Sequence, residues 1–153
     1  MGSKRDSAWM RQWTDGLLKS GNWGIAMTHG ITTGYDAFGD PTRFWRHLDY
    51  VSSLRDSLWV GTLADVTAYL RERGNVRLDI TATPKGVCIT PHMTLDSAIY
   101  RHPLTLVVNT ALPLKATQGG RPLNVKTNNG KATMDFDPNG GEVLIMKNGE
   151  ARK

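Results

Sequence analysis

Trp23-Gly24-Ile25-Ala26-Met27-Thr28-His29-Gly30-Ile31 is an apolar run that stops at a histidine and a glycine. It predicts a buried strand over residues 23–28 that brings one titratable side chain to a sheet edge. Histidine has an unperturbed pKa of about 6.5, so a ring at a strand end can serve as a general acid or base near neutrality. The same pattern also suits a histidine that closes a strand and satisfies a backbone group. The run itself leaves both readings open.

Working outward, Ser7 reads as the cap of a helix carrying Trp9, Trp13 and Leu17 on one face, with Gly21 as its terminator. After a loop over residues 30–39, Asp40 and Pro41 combine an N-cap carboxylate with a first-turn proline, and Phe44, Leu48 and Val51 form the expected inner face. Leu58-Trp59-Val60 reads as a second buried strand. Thr62 and Asp65 then open a third helix with capping-box spacing, Val66, Tyr69 and Leu70 supply its apolar face, and Gly74 is placed to end it. Arg71 and Arg73 fall in its last turn, where they complement the helix dipole.

Beyond residue 74 the apolar period changes from helical to two. Val76, Leu78 and Ile80 alternate with polar residues, and further strands are expected over residues 87–90, 105–109, 123–126, 132–136 and 143–146. Asn129-Gly130 and Asn139-Gly140 fall between such runs as hairpin turns, so the last three strands read as a meander. The chain therefore divides into an α/β part, residues 1–74, and a small antiparallel all-β module, residues 75–153. Two buried parallel strands with three helices do not make a complete sheet, so an upstream segment or a partner chain is expected to complete it.

The net charge of +5 is dispersed: residues 1–74 carry nine Lys and Arg against eight Asp and Glu, and residues 75–153 carry ten against six. Nucleic acid is not an expected partner, because phosphate binding needs clustered cations. No apolar stretch approaches the roughly 20 residues of a membrane-spanning helix, and the first residues lack the apolar core of a secretory signal. The compartment stays open. The single cysteine, Cys88, has apolar neighbours and reads as a packing residue. His29, His47, His92 and His102 show no i, i+3 or i, i+4 pair, so no metal site and no cofactor is expected from this chain's own motifs. In the loop after His29, Tyr35 could stack on a sugar ring and Asp36 could accept its hydroxyls; Trp59, at the end of the second strand, could also stack on substrate. For each, a packing or turn role is the competing reading.

The order of these pieces resembles the carboxyl-terminal portion of the polysaccharide deacetylase family, the NodB-homology enzymes. The residues that carry the resemblance are Asn22 through Ile31, Phe44-Trp45-Arg46-His47-Leu48-Asp49-Tyr50, Leu58-Trp59-Val60-Gly61-Thr62 and Asp65 through Arg73. The match covers about residues 5–75, and the β segment looks like an extension that follows the barrel in some relatives. The resemblance implies a partial (β/α) barrel segment and a hydrolase acting on non-peptide C–N bonds, with an N-acetylated carbohydrate as substrate. In the family a zinc or other divalent ion, held by an Asp and two His, activates the attacking water. His29 would then protonate the departing amine, and Met27 would wall the acetyl pocket. The family's Asp-Asp-Gly and His-x-x-x-His motifs are absent from this sequence, so the fragment alone is expected to be inactive, and a full-length relative is expected outside the cytoplasm. The alternative, from a different class, is a non-catalytic module that binds glycan or protein through its β half and aromatics such as Trp59 and Tyr100.

Overall fold

A computed structural model describes residues 1–2 and 6–147. It is a mixed α/β chain of three helices and two antiparallel sheets, with no closed barrel among the described residues. The chain falls into two compact units, Met1–Leu63 and Ala64–Lys153.

The first unit is built on α1 (Ser7–Ser20) and α2 (Pro41–Ser53). Asp6, one residue ahead of the expected cap, accepts the Trp9 N–H at 2.7 Å, and Gly21 ends α1 in the left-handed conformation at φ 65°. Asp40 caps α2 by accepting the Thr42 N–H and hydroxyl, and those bonds, with smaller contributions from Arg43 and Arg46, lower its pKa. The buried side of α2 is centred on His47, flanked by Phe44 and Val51, and Leu48 is left exposed. An inward Leu48 is therefore corrected. Phe38, at the end of the intervening loop, is buried with its ring 5.4 Å from that of Phe44, and this anchors the loop to α2.

Neither expected strand forms. Residues 22–28 and 58–62 have no regular secondary structure, because a strand exists only as part of a ladder and the described residues offer these segments no neighbour. Gly24 brings the first segment onto α1: a Cβ there would lie 2.3 Å from Leu17 Cδ1 and 2.7 Å from Trp13 Cζ2. The rest of the run is open to solvent, with Ile25 65% and Met27 66% exposed.

The second unit contains, among the described residues, all but the first residue of α3 (Leu63–Asn75) and eight strands: β1 (Arg77–Thr83), β2 (Gly86–His92), β3 (Leu104–Asn109), β4 (Leu114–Gln118), β5 (Arg121–Pro122), β6 (Lys126–Asn128), β7 (Lys131–Phe136) and β8 (Val143–Lys147). Helix α3 runs through Gly74 to Asn75, and the Asn75 amide donates back to the Arg71 carbonyl, so Gly74 is not the terminator. The five-stranded sheet has the order β1-β2-β8-β4-β5 and the three-stranded sheet the order β3-β7-β6. Ile89, Ala116, Val143 and Ile145 from the first sheet and Leu104, Leu106, Ala132, Met134 and Phe136 from the second form one core. This is the packing of two sheets on their inner faces.

The Asn129-Gly130 hairpin forms as expected, with φ 48° and 73° at its two central residues, between the paired Asn128 and Lys131. The Asn139-Gly140 segment does not make a hairpin. β7 pairs with β3 and β6, whereas β8 pairs with β2 and β4 in the other sheet, so the meander is replaced by a corner that changes sheets. The buried Gln118 amide braces that corner. Its Nε2 donates to the carbonyls of Asp137 at 2.7 Å and Gly141 at 3.0 Å, and its Oε1 accepts the Asp137 N–H at 2.9 Å. Gln118→Leu should cost about 2 kcal/mol, because it leaves these three backbone groups without their side-chain partner. Chemical denaturation measures this directly, and a change under about 0.5 kcal/mol would show that water replaces the amide there.

Candidate functional site

His29 lies in an exposed bend after the apolar segment, in the first unit. Thr28 Oγ1 donates to the Gly30 carbonyl at 3.1 Å, which folds the chain back just past the strand-like run. The loop then turns through Gly34 at φ 112° and Asp36 at φ 48° before Ala37 and Phe38 bury themselves. This path sets the Tyr35 ring edge-on to the His29 imidazole, with centroids 5.3 Å apart and planes at 75°. Both rings remain open to solvent, Tyr35 being 82% exposed.

Of the residues singled out from sequence, the structure thus brings His29 and Tyr35 together. Met27 is exposed two residues before His29, and its carbonyl accepts from the Met1 ammonium group. Trp59 is half exposed on the other irregular segment. Asp6 and Asp15 are engaged elsewhere: Asp6 caps α1, and Asp15 accepts the Tyr50 hydroxyl, which raises the tyrosine pKa. An imidazole steadied by a tyrosine edge and open on its other sides can exchange protons with a bound molecule.

A second constellation, in the other unit, escaped sequence reasoning. Glu72 on α3 is completely buried, and both its oxygens accept the His102 backbone N–H, at 3.2 and 3.0 Å. His102 Nδ1 lies 3.0 Å from Glu72 Oε1, and Nε2 lies 3.4 Å from Asp65 Oδ1. Asp65 and Glu72 are seven residues apart, so they share a helix face two turns apart, and the imidazole fits between them. That spacing was the available signal, but it points to a site only once His102 is known to dock there. Arg71, one residue along, lies over the Tyr100 ring at 5.5 Å to the centroid and steadies the same loop. Buried carboxylates of this kind are tolerated because hydrogen bonds satisfy them. The cluster ties α3 to the loop before β3.

The other titratable groups have local roles. His92 pairs with Asp79 at 2.8 Å across the exposed face of β1 and β2. His47 is buried, which lowers its pKa and favours the neutral ring. Cys88 is held up in pKa by its partial burial and then by Glu142, as suits a packing thiol. Among the described residues, no group of three His, Cys, Asp or Glu is arranged to hold a metal ion, and no helix is long and apolar enough to cross a membrane.

The chain matches no family model, no curated protein and no solved structure.

Proposed function

We propose that this chain is the carboxyl-terminal part of a carbohydrate de-N-acetylase, a partial (β/α) barrel segment followed by the β module, with His29 as its general acid. The observation that carries the reading is the state of the two strand-like segments. Ile25 and Met27 on one, and Trp59 and Val60 on the other, are 54–69% exposed although their sequences are those of buried strands. Large apolar side chains clustered on such segments call for a covering surface. Neighbouring barrel strands, from an upstream segment or a partner chain, would supply it by ladder pairing.

His29 would then stand at a strand end, where sheet folds of this kind place their ligands. Its role is to give a proton to the amine nitrogen of the sugar as the acetamide C–N bond breaks and acetate leaves. Met27 would line the acetyl pocket, with Tyr35 and Trp59 against the sugar. In this reading the metal is held by the upstream Asp-Asp-Gly and His-x-x-x-His motifs; among the described residues no group of three His, Cys, Asp or Glu is arranged to hold one.

The test is a longer protein in which Asp-Asp-Gly and His-x-x-x-His motifs precede residue 1 in frame. It should release acetate from N-acetylglucosamine oligosaccharides, while residues 1–153 alone release none and retain no stoichiometric zinc after dialysis. Tight zinc retention by residues 1–153, or no acetate from the longer protein, would overturn the reading.

A further inference from the structure

An open-sided groove of about 530 Å³ lies between α1 and α2, lined by Arg11 from the first helix and by Arg46, His47, Asp49 and Tyr50 from the second, with Ser7 at one end. Arg11 is held in place: its guanidinium sits 4.1 Å from the centroid of the Tyr50 ring, and the Tyr50 hydroxyl is bonded to Asp15. Among the described residues, neither Arg11 nor Arg46 has a carboxylate within ion-pair distance. Two arginines from different helices therefore line one groove with no carboxylate in direct ion-pair contact among the described residues, Asp40 acting on Arg46 only at longer range, and one of them is already ordered by stacking. A guanidinium offers a planar fork of donors that matches the oxygens of a carboxylate or phosphate, and ordering it beforehand reduces the entropy lost on binding. Asp49 offsets one of the two charges. It also provides an acceptor for hydroxyl groups, and the Ser7 hydroxyl provides a donor. The volume is that of a small-molecule site rather than of a bare inorganic ion.

We infer that this groove binds a sugar-sized ligand bearing an oxyanion group, a carboxylate or a phosphate, gripped by Arg11 and Arg46. The inference stands on the α1–α2 groove alone and does not depend on the deacetylase reading. Titration of the isotope-labelled full chain with glucuronate, glucose 6-phosphate, inorganic phosphate and neutral glucose, followed by NMR, tests it. Saturable shifts at Arg46 and Tyr50 are expected with one or both anionic sugars, and glucose should give none. Which anionic sugar binds tighter identifies the oxyanion, and inorganic phosphate should bind more weakly than the tighter of the two. Arg46→Gln should weaken that sugar about tenfold or more with the fold unchanged. Arg11→Lys, which keeps the charge but loses the stacked fork, should weaken it as well. No saturable shift with either anionic sugar, an equal response to glucose, or undiminished binding by a folded Arg46→Gln variant would overturn the proposal.

Discussion

In the longer deacetylase proposed above, His29→Ala is expected to lower acetate release from N-acetylglucosamine oligosaccharides by about 10²–10⁴-fold, the range a well-placed general acid contributes. The amine leaving group is poor unless protonated, so the loss should fall on kcat and kcat/KM together. The local structure makes this variant clean. The imidazole is exposed, its one described ring contact is the edge of Tyr35, and it caps no helix and closes no buried hydrogen bond. Stability should therefore change by less than about 0.5 kcal/mol, and zinc content should not change. Unaltered acetate release would remove His29 from the chemistry.

Glu72→Ala should destabilise the chain by about 3 kcal/mol, read from the denaturation midpoint by far-ultraviolet circular dichroism. The carboxylate is fully buried and is the acceptor for both the backbone N–H and the Nδ1 of His102. Truncation takes the acceptor away from a part-buried backbone donor and from an imidazole that is only partly open to water. Glu72→Gln separates shape from charge. Its amide oxygen can still accept the His102 N–H, so it should recover roughly half of the loss. A Glu72→Ala variant as stable as the wild type would mean that water enters and satisfies His102.

The helices were legible in the sequence because their signals are local. Asp40-Pro41 and Gly21 act within one turn, and the structure places α1 and α2 where those residues predict. The β module was legible in kind for a similar reason, since alternation along residues 76–80 and the Asn129-Gly130 turn depend on few neighbours. Which strand lies beside which was not. Nothing local distinguishes a turn that returns to the same sheet from one that crosses, and the deciding interaction comes from Gln118, distant in sequence from the corner it braces. β4 was missed because Leu114-Lys115-Ala116-Thr117-Gln118 has only two apolar residues, its place being fixed by pairing with β8. The strand reading of residues 23–28 rests on composition, and composition describes what the segment can do when a neighbour is present. The Glu72–His102 tie was hidden for the opposite reason, as a charged residue in a helix is usually a solvated one.

The position of β8 bears on how the β module assembles. Late in the chain, this strand sits at the middle of the five-stranded sheet, with Val87 opposite Ile145 on one side and Ala116 opposite Ile145 on the other. β1 and β2 can zip as a hairpin, as can β6 and β7, but the larger sheet has no continuity until β8 arrives between β2 and β4. Closing so long a loop carries its entropy loss before the contacts that reward it, which is the hallmark of slow, high-contact-order folding. Until that moment the facing edges of β2 and β4 are unpaired, the kind of open edge that another strand can pair with.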